Sequence, residues 1–159
     1  MGRIYFFYVP ILQRGNHQLM KVFKGHVGIG NIVSGEALVA SDNFSARYDL
    51  DRHKGIFSRP THKLYLQSYV NKILVLNVAK GGVASAWMFR NMLEKNIFPK
   101  GLLLNRANPI IAQGAAHANL TLIDRFDVDI TQVIKKGDFL TLNPHKGTVT
   151  INLTKQSNE

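Results

Sequence analysis

Apolar and polar positions follow different periods along this chain, and each change of period marks an element. Residues 73–79 (ILVLNVA) form a continuous apolar run rich in β-branched residues that ends at Lys80-Gly81-Gly82, which predicts a buried strand and a turn. From Val83 the spacing becomes helical, with Val83, Trp87, Met88, Met92 and Leu93 on or near one face. A second unit repeats the pattern. Residues 101–104 read as a short strand, Asn108 suits a helix N-cap and Pro109 the first helical position. The alanine-rich helix that follows runs to about Ala118, with Gly114 permitting close packing, and residues 121–124 read as a third strand. Strand–helix–strand–helix–strand predicts right-handed parallel crossovers. The loops at Lys80, Asn105 and Asp124 then gather at the carboxyl edge of the sheet, where open α/β sheets bind ligands.

The flanks read differently. Residues 21–41 alternate short apolar stretches with Gly25, Gly28, Gly30 and Gly35, as in a small barrel or sandwich layer. Residues 42–68 are polar and read as a solvated loop with one or two substrate-facing groups; Asp49, Asp51, His53 and His62 lie here without metal-ligand spacing. A short helix over 129–134 and a turn at 135–138 lead to two alternating strands, 139–143 and 148–153, which are expected to return to the N-terminal β layer. The predicted fold is α/β: three layers, β/β/α, with a β-rich barrel-like layer and a small parallel βαβαβ sheet. Residues 1–19 look foreign to the rest. Pro10 interrupts their apolar run and no small-residue cleavage site follows, so they are expected to be an extension, poorly ordered or packed as an added edge strand. The single domain is expected over 20–153, with a polar tail at 154–159.

Composition narrows the function. With 159 residues, 45% hydrophobic and 19% charged, the chain reads as one globular domain, and no apolar run approaches the roughly 20 residues of a membrane span. It has no cysteine, so disulfides, thiolate nucleophiles and cysteine-ligated metals are excluded within it; any iron–sulfur cluster would belong to a partner. The formal charge of +10 comes from scattered residues, without an RNP-like, zinc-finger or heptad-bearing basic pattern. That charge fits solubility, an acidic partner or anionic substrates better than nucleic acid.

No complete catalytic constellation is visible. The six histidines lie at 17, 26, 53, 62, 117 and 145, none at HExxH spacing; Ser85 is outside a G-x-S-x-G elbow; Gly28 and Gly30 lack the rest of a dinucleotide fingerprint. No metal site is expected. What survives is the turn after the first strand. A Gly-Gly turn at a helix N-terminus exposes N–H groups where the helix dipole favours an anion, and Lys80 adds charge. Ser85 could exchange a proton with a carbon acid if those same donors stabilised its alkoxide. The plainer alternative is that the glycines only turn the chain and Ser85 caps or packs the first helical turn.

Several segments in order, GHVGIGNIVSGEALVAS (25–41), the loop at 51–55, His62 with Gln67-Ser68, KGGVAS (80–85), NPIIAQGAAHANLTLID (108–124) and IKKGDFLTLN (134–143), resemble the aconitase X swivel domain family. The resemblance implies a swivelling β/β/α domain that closes over an active site built mainly by a large aconitase-like subunit carrying an iron–sulfur cluster, in a cytoplasmic setting. The family's known activities are dehydrations, of mevalonate 5-phosphate in archaea and of cis-3-hydroxy-L-proline in bacteria. It implies a small anionic hydroxy acid as substrate, with Lys80, Gly81, Gly82, Asn105, Arg106 and His62 as substrate-binding residues and Ser85 as the candidate catalytic residue. One departure bears on the substrate. In the phosphomevalonate enzymes the turn reads Arg-Gly-Ser-Thr, its first serine taken as proton acceptor, whereas Gly82 or a gap falls there in this chain. The departure argues against mevalonate 5-phosphate and favours a cis-3-hydroxyproline-like substrate or an uncharacterised branch of the family. The same fold carries phosphohistidine domains with a GGxxSH-like turn, but Ala86 stands where that histidine would be, which excludes a phosphoryl carrier at this turn. A stand-alone binding or regulatory module that kept the fold without catalysis is the alternative reading.

Overall fold

The computed structural model describes residues 20–152. The expected N-terminal extension and polar tail lie outside the described residues. The strands are β1 (Met20–Lys24), β2 (Val33–Val39), β3 (Leu50–Asp51), β4 (Ile56–Phe57), β5 (Ile73–Val78), β6 (Gly101–Arg106), β7 (Thr121–Asp124), β8 (Phe139–Asn143) and β9 (Thr148–Asn152). The helices are α1 (Ala46–Asp49), α2 (Val83–Glu94), α3 (Pro109–His117) and α4 (Ile130–Val133).

Seven strands pair in the order β1-β9-β8-β2-β5-β6-β7. Strand β2 belongs to both halves. Its residues 33–36 run antiparallel to β8, and its residues 37–39 run parallel to β5. The parallel sheet therefore has four strands rather than the expected three, because β2 splits its ladder between two neighbours.

Successive residues of the central strands face different cores. Ile73, Val75, Leu103 and Ile123 point into the barrel-like half, against Leu140, Leu142, Val149 and Ile151. Leu74, Leu76, Leu102, Leu104 and Leu122 point under the helices, against Phe89, Met92, Ile111 and Ala115. Burial on both faces is why these strands read as unbroken apolar runs. The barrel closes through residues 25–29. On one side Gly25 and Gly28 N–H donate to the carbonyls of Gly147 and Pro144, both at 2.8 Å; on the other, His26 and Ile29 N–H donate to Asp124 and Leu122, both at 2.9 Å. Gly28 permits this approach, since a Cβ there would stand 2.1 Å from the Leu122 carbonyl oxygen.

Two expectations are corrected. On α2 the buried stripe is Ser85, Met88, Phe89 and Met92, while Val83, Trp87 and Leu93 are exposed. The apolar residues of this helix exceed one face. The crossover over residues 42–68 is not a solvated loop: Phe44, Leu50, Phe57 and Leu64 are buried in it, beside Tyr69. Its polar residues serve one another. The buried Asp49 carboxylate accepts the Ser45 N–H at 2.7 Å and lies 2.9 Å from Arg59 Nε, and Asp51 accepts the His53 and Lys54 N–H groups at 2.8 and 3.0 Å. His62 is buried, stacked 4.7 Å from Phe57, with Nδ1 accepting the Leu64 N–H at 3.1 Å. It was expected to face substrate; instead it packs this crossover. Desolvation pushes its pKa below the ordinary 6.5, against the opposing pull of Asp49 and Asp42.

Gly28→Ala should cost about 3 kcal/mol by overpacking, whereas Gly137→Ala, at a φ of +90° with open space around it, should cost about 1 kcal/mol. Urea unfolding that found the two equal would remove the closure argument. Neutral His62 is the form the fold holds, so its contribution is complete above pH 6.5 and lost as the pH falls through its depressed folded value. Melting temperatures measured from about pH 7 to about pH 5 should therefore fall less steeply in His62→Gln than in the parent chain; equal slopes would refute the assignment.

Candidate functional site

The carboxyl end of β5 is held from both sides. Ala79 N–H donates to the Arg106 carbonyl at 2.9 Å, and Lys80 N–H to the Phe44 carbonyl at 2.7 Å. Phe44 N–H in turn donates to the Val78 carbonyl at 2.9 Å, and Phe44 bridges Ala79 in parallel. The chain then turns through Gly81, at a φ of +107°, into α2. Asn108 fixes the turn from the far side. Its Oδ1 caps α3 by accepting the Ile111 N–H at 2.9 Å, and its Nδ2 reaches the Ala79 and Gly81 carbonyls, each at 3.4 Å. Sequence reasoning identified Asn108 as a cap but missed its hold on the turn.

The two helix starts differ. That of α3 is closed by Asn108, but α2 begins at Gly82 with no side-chain cap. The Ser85 N–H is taken by the Gly82 carbonyl at 3.0 Å, which leaves the Val83 and Ala84 N–H groups without a capping side chain at the positive end of the helix dipole. Lys80, Gly81 and Gly82 are all exposed, and so is Arg106, which pairs with Val78 in the adjacent strand. Neither Lys80 nor Arg106 joins an ion pair among the described residues. Backbone donors and two unneutralised cations on one edge are the chemistry that suits a carboxylate or phosphate.

Beneath the turn lie two hydroxyls. Ser85 is 1% exposed and Ser45 7%. Their Oγ atoms stand 2.6 and 3.2 Å from the point where a Gly81 Cβ would project, so the missing side chain makes room for both. Ser85 Oγ accepts a long 3.4 Å hydrogen bond from the Arg47 N–H. Ser45 Oγ is buried without a partner among the described residues. No short-range signal marked Ser45. Only the pairing of residue 44 with residue 79 brings it to the turn.

The expected site residues thus divide. Lys80, Gly81, Gly82 and Arg106 share one exposed rim, and Ser85 sits under it. His62 is buried within the crossover. Asn105 is also corrected: its Nδ2 donates to Asn77 at 3.0 Å and to Asp129 at 2.8 Å, and its Oδ1 accepts the Ile130 N–H at 2.9 Å. An amide with all three of those positions engaged anchors α4 to β5 and β6 rather than reading a substrate. Hydrogen bonds from Asn105 and then Thr131 hold the Asp129 carboxyl below its usual pKa. Among the described residues no group of three or more His, Cys, Asp or Glu could hold a metal ion, and no helix is long and apolar enough to cross a membrane.

Comparison with known proteins agrees with this architecture. A family model of the aconitase X swivel domain matches residues 22–151. The phosphomevalonate dehydratase small subunit of Pyrococcus horikoshii is 30% identical over 125 residues, covering 78% of this chain and 91% of that protein. The protein of the same name from Methanococcoides burtonii is 28% identical over 118 residues, covering 74% and 86%. The crystal structure of Thermococcus kodakaraensis aconitase X in its holo-form matches with a TM-score of 0.77 at 26% identity, over 83% of this chain and 98% of that one. With that fold, and a family match running from β1 to β9, the chain belongs to the aconitase X swivel domain family.

Proposed function

We propose that this chain is the small, swivelling subunit of an aconitase-X-type dehydratase, closing over a small anionic hydroxy acid held with an iron–sulfur large subunit. The observation that carries the reading is the uncapped Lys80-Gly81-Gly82 turn with Arg106 beside it, an anion receptor open on one side. Elimination of water needs solvent kept out and the leaving hydroxyl activated, and the groups on this rim bind an anion but supply neither. The relatives named as small subunits favour a second chain that completes the site.

The chain has no cysteine, and its described residues offer no alternative metal-ligand group, so they do not fit an iron–sulfur cluster. The reading leaves the cluster to the large subunit. The roles left to this chain are toward substrate. Lys80, Arg106 and the α2 N–H groups take its anion. Ser85, whose Oγ lies directly beneath Gly81, is the hydroxyl assigned to proton exchange.

The relatives are named for a phosphorylated hydroxy acid. We favour a cis-3-hydroxyproline-like carboxylate because glycine at both 81 and 82 leaves Lys80 as the turn's one side-chain donor. A phosphate, with three strong acceptor oxygens, calls for more donors than a carboxylate does.

Co-expression with the large subunit of the same organism should yield a complex that dehydrates cis-3-hydroxy-L-proline faster than mevalonate 5-phosphate, with neither chain active alone. A complex inactive on both, or a ligand that stabilises the isolated chain in a thermal-shift screen without any partner binding, would favour a non-catalytic module instead. Gly82→Ser should fold like the parent, given an unstrained φ of −117° and open space, and should shift the preference toward mevalonate 5-phosphate. In the active complex Ser85→Ala should lower kcat by about a hundredfold or more with KM little changed, while Lys80→Ala should chiefly raise KM. Parent-like kcat in Ser85→Ala would reduce Ser85 to a packing residue.

A further inference from the structure

The helical layer carries more apolar surface than the fold uses. A helix covering a sheet needs one apolar stripe, and α2 already buries Met88, Phe89 and Met92 on its inner side. Its outer side nevertheless presents Val83 and Trp87, 62% and 69% exposed, and α3 adds Ile110 at 37%. Gly114 lets the two helices approach closely, since a Cβ there would lie 2.6 Å from that of Ala86. Above this contact runs a cleft of about 290 Å³ lined by Val83, Trp87, Ile110 and Gly114, with Arg90 and His117 among its polar walls. On the other flank of Trp87 lies a second groove, lined by Arg47, Arg52 and His53 with one acid, Asp51. The Arg47 guanidinium stacks 5.4 Å over the ring of Tyr48, itself 65% exposed. Trp87 is thus a ridge between an apolar groove and a basic one.

Both grooves adjoin the anion turn. Val83 follows Gly82 directly, Ile110 stands in the first turn of α3 at the same sheet edge, and the Arg47 N–H bonds Ser85. A chain that covers the turn from this side must cross these residues. We infer that this face is the seat of the large subunit, with Trp87 entering an apolar recess whose rim is acidic, opposite Arg47 and Arg52. The inference rests on the dehydratase reading, and the charge of +10 selects the sign of the partner's rim. An exposed tryptophan flanked by arginines has the composition of an interface centre.

Trp87 is the only tryptophan in the chain, so it can be watched alone. The full chain is prepared with fluorotryptophan and followed by fluorine NMR, with and without the large subunit. The free chain should give one resonance open to a soluble paramagnetic quencher; in the complex that resonance should shift and become protected. Trp87→Ala, at an exposed position, should keep the circular dichroism of the parent and weaken large-subunit binding by about 30-fold or more. An active complex in which the resonance is unchanged and Trp87→Ala binds like the parent overturns this seat and leaves the dehydratase reading standing. Failure to form any complex defeats both. A resonance already protected in the free chain, by a second copy or by residues 1–19, also overturns it, because the face then has another occupant.

Discussion

Strand β5 is bonded on both edges and buried on both faces, and the rest of the molecule follows from that enclosure. Ile73, Leu74, Val75 and Leu76 are each 0% exposed, with β2 on one side and β6 on the other. A strand so enclosed has no side chain free for chemistry along its length. Chemistry can begin only where it ends. Phe44 pairs beside that end and Asn108 reaches the turn from α3, so the two glycines that follow are delivered to solvent at a fixed point. The site is therefore a product of sheet burial, and its residues are mostly backbone.

What was legible in the sequence follows the range of the interactions. The runs at 73–79 and 101–104, the Asn108-Pro109 start and the hairpin strands at 139–143 and 148–153 were readable because neighbours a few residues apart carry the signal. The split of β2 between two ladders was not, since nothing in VSGEALV says that its halves bond different strands. The crossover at 42–68 misled for a related reason. Its charges and histidines look solvated, but Asp49, Arg59 and His62 fold against one another around Phe57. The helical period of α2 was correct and its inward face only in part: Met88 and Met92 are inside as expected, but two apolar stripes leave a wheel ambiguous, and Phe89 is inside where Val83, Trp87 and Leu93 were expected.

The same distinction sorts the candidate site. Asn77, Asn105 and Asn108 all lie near the carboxyl edge, and by type each could read a ligand. The structure engages Asn105 with Asn77, Asp129 and a backbone N–H, and Asn108 with a helix start and the turn. A polar side chain whose hydrogen bonds are complete has little left for a substrate. At the turn itself the groups left without a side-chain partner among the described residues are the start of α2, Lys80, Arg106 and, underneath, the Ser45 hydroxyl; His62 Nε2 is also unpartnered but lies inside the crossover. Residue type proposed seven positions in the sequence; hydrogen-bond completeness removes Asn105, and His62 is removed by its place inside the crossover, against Phe57 and the Leu64 N–H, whereas the equally buried Ser85 lies directly beneath Gly81.

Magnitudes then argue for a second surface. A charge near an exposed helix start is worth about 0.3–1 kcal/mol, and an exposed ion pair with Lys80 or Arg106 about 0–1 kcal/mol. Together these give about 3 kcal/mol at best, short of the roughly 4 kcal/mol that a millimolar dissociation constant needs. The open rim is therefore too weak to hold a small anion by itself at ordinary concentrations. The same donors in a closed, drier cavity interact several times more strongly, because the effective dielectric falls. The exposed turn and the exposed Trp87 face then have a common explanation. A partner that buries the apolar ridge also dries the rim beside it, so the apolar contact supplies the binding energy and the anion contact the alignment.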